Sequence, residues 1–193
     1  MKKQLLHSGW QLTTVGKNDT IPATVPGSVY NDLLNAGRME DPYWRDNEMK
    51  ALALMDEDYR YNTTFDVNAD VLNSERVLLR CEGLDTIADI VLNGEKIASV
   101  CNMHRTWEFD VKDSLKTTGN TLEIVFHSPT KYIKEQDKIC HAGGSEDAMV
   151  GFPNLRKAHC MFGWDWGPRL PDAGIWRPIS LVGVEKARLT SVY

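Results

Sequence analysis

From residue 59 onward the chain alternates between apolar and polar positions. In YRYNTTFDV, Tyr59, Tyr61, Thr63, Phe65 and Val67 share one face, while Arg60, Asn62, Thr64 and Asp66 share the other. A period of two marks a strand with one face buried and one solvated. RTWEFDVKD repeats the pattern with Trp107, Phe109 and Val111, and TLEIVFHS repeats it with Leu122, Ile124 and Phe126. RVLLRCE and TIADIVLNGEKIASV continue it, and the Asn93–Gly94 step between two apolar runs predicts a tight hairpin. WRPISLVGV and ARLTSVY read as closing strands. Many short strands at even spacing predict an all-β chain, an antiparallel sandwich or jelly roll.

One short helix interrupts the strands. Ser28 is placed as its N-cap, Val29 and Leu33 share its apolar face, and Gly37 ends it. Two long stretches read as irregular. Arg38 to Asp58 is acidic and aromatic around MEDPYWRDNE, and Ser128 to Gly163 offers only a helical turn or two at KYIKEQDKI. Loops of this length on a compact sandwich tend to be functional or covered by another domain. No repeat or low-complexity linker divides the chain, so residues 1–193 read as one domain.

Composition narrows the partners. The 193 residues carry a formal net charge of −5, and no stripe of Lys or Arg offers a surface for nucleic acid or an anionic membrane. No apolar run reaches membrane-span length. MKKQLLHSGWQL has two lysines but no apolar stretch after them, so it does not read as a signal peptide. That leaves the compartment open between the cytoplasm and a periplasmic, secreted or lysosomal setting. Cys81, Cys101, Cys140 and Cys160 form no C-x-x-C pair. The neighbours Cys140–His141 and His159–Cys160 are adjacent rather than at metal-ligand spacing, so no metal site is assigned. The four cysteines read as buried or partly buried thiols, with a Cys140–Cys160 disulfide, contributing about 3 kcal/mol, as the alternative in an oxidising compartment.

The candidate chemistry lies in FGWDWGPRLPDAGIWRP, residues 162–178, which holds three of the six tryptophans. Trp164 and Trp166 bracket Asp165, and Gly163, Gly167 and Pro168 constrain the backbone around them. Indole faces suit the C–H patches of a sugar. A carboxylate suits two neighbouring hydroxyls, at about 1.5–3 kcal/mol per charge-assisted hydrogen bond. The residue chemistry leaves two readings: a carbohydrate contact, or two core tryptophans with Asp165 capping a turn. Asp46, Asn47 and Glu48 line a pocket or form a solvated acidic loop, and His104 and Arg105 bind a ligand or support a strand. No G-x-S-x-G, P-loop or H-E-x-x-H occurs, and no cofactor is implied.

Together, ATVPGSVYNDLLNAG, DPYWRDNE, DEDYRYNTTFDV, CEGLDTIADIVLNGEKIA, NMHRTWEFDV, NTLEIVFHSP and RKAHCMFGWDWGPRLPDAGIWRPISL form an ordered set over almost the whole chain. This set resembles the N-terminal domain of glycoside hydrolase family 2. GLDT…VLNG and GIWRP are similar to the family at large, and GWDWGP resembles its β-mannosidase branch. The resemblance implies an eight-stranded, galactose-binding-like jelly roll, followed in family members by an immunoglobulin-like domain and a (β/α)₈ barrel. That barrel carries both catalytic glutamates of a retaining hydrolysis, so the resemblance places no catalytic residue in this chain. It implies that Trp164 and Asp165 contact the non-reducing sugar of a β-mannoside in the −1 subsite, with Trp166 packing behind them and Arg169 in support. The remaining partner it implies is the rest of the same polypeptide. Other family specificities (β-galactosidase, β-glucuronidase, exo-β-glucosaminidase), a free-standing carbohydrate-binding module and a purely bracing sandwich stand as alternatives.

Overall fold

Two antiparallel sheets face each other across one apolar interior in the computed structural model, which describes residues 2–189. The strands are β1 (Lys2–Leu5), β2 (Gln11–Thr14), β3 (Thr20–Pro22), β4 (Tyr59–Phe65), β5 (Arg76–Cys81) and β6 (Ile87–Leu92). They continue with β7 (Glu95–Cys101), β8 (Trp107–Asp110), β9 (Asn120–Phe126), β10 (Phe162–Trp164), β11 (Gly167–Arg169) and β12 (Ile179–Val184). One sheet has the order β1-β12-β5-β8 and the other β3-β2-β4-β9-β6-β7, while β10 and β11 form a separate hairpin. The sandwich therefore holds ten strands among the described residues, not eight, because the short strands β1 and β3 extend its edges.

The alternation decides which side chains enter the interior. Tyr59, Tyr61 and Thr63 of β4 point inward, as do Leu122, Ile124 and Phe126 of β9 and Ala88, Ile90 and Leu92 of β6. They meet Val77, Leu79, Cys81, Ile179 and Leu181 from the opposite sheet. Tyr61 packs edge-on against both Trp10 and Phe126. Strand β12 is buried on both faces: Ile179 and Leu181 face the main interior, which α3 (Ala69–Leu72) joins through Val71, and Val182 and Val184 cluster with Leu78 on the other side. Asn93 and Gly94 have φ of 53° and 83° and join β6 to β7 in the two-residue turn that NG predicts.

Helix α1 (Val29–Asn35) forms where expected: the Ser28 hydroxyl accepts from the Asn31 N–H, and Gly37 follows with φ 66°. The two stretches read as irregular also hold helices. Residues 38–58 contain α2 (Asn47–Leu54), which buries Ala51 and is followed by buried Met55. Residues 128–163 contain α4 (Pro129–Ile139), capped by Ser128 with proline in its first turn. Of the closing segment ARLTSVY, residues 187–189 form no strand and residues 190–193 lie outside the described residues. No helix among the described residues is long and apolar enough to cross a membrane.

Candidate functional site

After α4 the chain leaves the sandwich, makes the β10–β11 hairpin and returns to β12. The root of this arm is apolar. Phe162 is fully buried with Ile133 and Leu155, and its ring lies 5.9 Å from that of Phe152. The Met149 N–H donates to the Phe162 carbonyl at 3.0 Å, and the Leu170 N–H donates to that of Met161 at 2.8 Å. Gly163, with φ 85°, has no room for a side chain: a Cβ there meets Arg169 Cγ at 2.4 Å.

A buried charge ties the arm to the sheets. The Lys157 side chain is wholly out of solvent and ion-pairs with Asp85. Its Nζ also donates to the Asp172 carbonyl at 2.6 Å. Asp85 in turn exchanges two backbone hydrogen bonds with Gly174, both 2.9 Å. One ammonium thus holds the start of the arm, its end and the GLDT stretch. Neither residue stands out locally in sequence, because lysine and aspartate default to the surface. Their only signal is membership of RKAHC and GLDT.

At the tip, Trp164 pairs with Gly167, which places Asp165 and Trp166 in the turn. The two indoles stack at 4.9 Å with planes 6° apart. Both are exposed, Trp164 at 39% and Trp166 at 64%, so the core-residue reading fails for each. Trp166, expected to pack behind the pair, is the more exposed of the two because it occupies the turn itself. Asp165 is also exposed, and no side chain among the described residues bonds its carboxylate. The tip presents two parallel apolar plates with an unengaged anion between them in sequence.

Arg169, expected in support of the sugar contact, is engaged by helix α2. Glu48 Oε1 accepts from the Arg169 main-chain N–H at 2.9 Å and from its Nε at 2.5 Å. Burial alone would raise the Glu48 carboxyl, but these two bonds and the Arg169 charge outweigh it and hold it below the usual carboxylate range. Asp46 and Asn47 line a shallow hollow with Trp44, Arg45 and Lys50, from which Glu48 turns away. His104 is exposed, and the Arg105 guanidinium stacks on Trp107 at 4.5 Å.

A cleft of about 360 Å³ runs beside the hairpin, flanked by Tyr30, Leu34, Tyr43, Trp166 and Pro168, with Asp172 also lining it. Burial pushes the Asp172 carboxyl up to about 6, against the Ser28 hydroxyl, the Tyr30 and Ala173 N–H groups and the Lys157 charge, which favour its ionised form. Cys81 is a buried thiol as expected, whereas Cys101, Cys140 and Cys160 are exposed free thiols, and Cys140 and Cys160 form no disulfide. No group of three or more His, Cys, Asp and Glu positioned to hold a metal occurs among the described residues.

Three comparisons set this geometry beside known proteins. The family model "Glycosyl hydrolase 2 galactose-binding domain-like" matches residues 10–177. The chain is 31% identical to beta-mannosidase from Bos taurus over 194 residues, covering 91% of this chain and 21% of that protein. It is 35% identical to beta-mannosidase A from Emericella nidulans, covering 92% of this chain and 19% of that one. The crystal structure of beta-D-mannosidase from Dictyoglomus thermophilum superposes with a TM-score of 0.94 at 38% identity, covering 100% of this chain and 24% of that chain. The chain thus spans about a fifth of the curated relatives' length, and it belongs to the galactose-binding-like domain family of the glycosyl hydrolase 2 enzymes.

Proposed function

We propose that this chain is the non-catalytic N-terminal domain of a retaining exo-β-mannosidase, and that its hairpin supplies Trp164 and Asp165 to the −1 subsite. The observation that carries the reading is the tip itself: an unengaged carboxylate at a turn flanked by two exposed, stacked indoles. The tryptophan pair fills no packing role within this domain, and its face fits the C–H surface of a pyranose. Asp165 accepts from two hydroxyls of the terminal sugar, and the buried root of the arm keeps that acceptor in place. Both carboxylates of the glycosidic chemistry lie in the rest of the polypeptide, and this domain acts by orienting the sugar toward them.

The test is the full-length enzyme on aryl β-mannoside and aryl β-galactoside, with Asp165→Ala beside the wild type. The mannoside is preferred, and Asp165→Ala loses on the order of a hundredfold in kcat/KM, equivalent to about 2.7 kcal/mol. A silent Asp165→Ala removes the hairpin from the subsite. The domain alone turns over neither substrate, and hydrolysis by residues 1–193 in isolation overturns the non-catalytic assignment.

A further inference from the structure

A two-stranded hairpin with three residues on each side is marginal by itself in water. The β10–β11 arm has an apolar anchor at Phe162 but none at its tip, where both indoles are exposed. Beyond the buried root, one further contact ties the hairpin's return strand to helix α2. The Glu48–Arg169 contact joins positions 121 residues apart in sequence. One carboxylate oxygen receives both the main-chain N–H and the Nε of the same arginine, so it fixes the strand and the side chain together. The terminal Nη2 lies 3.6 Å from Met49 Sδ, on the next residue of the helix.

The support behind Glu48 is firm. Helix α2 buries Ala51, whose carbonyl accepts from the Tyr30 hydroxyl at 2.8 Å, and Met55 just beyond it is fully buried. On the other side, the Arg169 stem lies against Gly163, one residue before Trp164. A chain of contacts therefore runs from the core through α2 and Glu48 to Arg169 and the indole pair.

Resting on the subsite reading above, we infer that Glu48 is the positioning residue of the sugar-contacting hairpin. It acts through Arg169 to set where Asp165 meets the substrate. Arg169 is then a strut between helix and hairpin, and its guanidinium is engaged by Glu48.

The test uses the full-length enzyme and aryl β-mannoside, with melting temperature measured alongside kinetics for Glu48→Ala, Glu48→Gln, Asp165→Ala and the Glu48→Ala/Asp165→Ala double variant. Displacing an orienting group costs rate without breaking the fold, so Glu48→Ala lowers kcat/KM about tenfold with little change in melting temperature. Glu48→Gln, whose amide oxygen still accepts from the Arg169 N–H, recovers most of that loss. In the Asp165→Ala background the Glu48→Ala effect shrinks to less than about twofold, because both changes act on one contact. A silent Glu48→Ala beside a hundredfold loss in Asp165→Ala overturns the positioning role and leaves the subsite reading standing. Full additivity of the two changes also overturns it, since Glu48 then acts elsewhere. A silent Asp165→Ala overturns both.

Discussion

Lys157 and Asp85 form an ion pair inside the protein, with the lysine side chain fully shielded from solvent. Removing one partner of such a pair leaves an uncompensated buried charge, at a cost of about 3–5 kcal/mol. Lys157→Met is expected to lose that much, equivalent to a melting temperature lower by about 6–20 °C for a chain of this size. Denaturant titration of the variant checks it. A loss below about 1 kcal/mol would show that the arm's root holds without the pair.

The indole pair behaves oppositely. Trp164 and Trp166 are exposed, so truncating either removes stacking and little burial. Trp164→Ala and Trp166→Ala each change unfolding free energy by at most about 1.5 kcal/mol. Asp165→Ala leaves stability within about 0.5 kcal/mol. A loss above about 3 kcal/mol at either tryptophan, typical of a core aromatic, would contradict the exposed tip.

Asp172 gives stability a pH dependence of definite sign. Its folded pKa of about 6 lies above the ordinary aspartate value of 3.8, so the folded state holds the proton more tightly. Its contribution is fully present below pH 3.8 and is lost as pH rises through about 6. Asp172→Asn removes this titration. The stability difference, variant minus wild type, therefore grows more positive from pH 4 to pH 7, by on the order of 2 kcal/mol. Denaturant titrations at several pH values measure it, and a flat or falling difference contradicts the raised carboxyl.

Gly163 tests the arm from within. Its φ of 85° and the Arg169 stem, which fills the place a Cβ would take, leave an alanine no unstrained position. Gly163→Ala costs about 1–3 kcal/mol and shifts the strand that leads into Trp164. In the full-length enzyme kcat/KM for an aryl β-mannoside falls with it. Retention of wild-type stability and rate would mean that the strand yields without consequence.

The sandwich was legible because burial writes a period of two. Tyr59, Tyr61 and Thr63 enter the interior as their alternation with Arg60, Asn62 and Thr64 requires. Asn93–Gly94 turns where only small, φ-tolerant residues turn easily. Helix α2 was not legible, since it buries a narrow stripe and follows an acidic, aromatic run that reads as loop. The tip was half legible. Trp164, Asp165 and Trp166 were visible as a constellation, but a sequence does not tell an exposed tryptophan from a core one. Glu48, Lys157, Asp85 and Asp172 take their roles from contacts between distant segments, and no local pattern announces those.

The pairing of β1 with β12 has a mechanical consequence. Lys2 lies opposite Gly183, so the outer ends of the first and last strands of the sandwich sit side by side. A pull applied to those two strand ends loads that ladder one rung at a time, as a zipper opens, rather than shearing its rungs together. The strand β12 that peels first from β1 is also bonded to β5 and buried on both faces, so yielding at this seam stops at a wall. A pull at those ends therefore meets its resistance at the β12–β5 ladder, into which the arm's return segment leads.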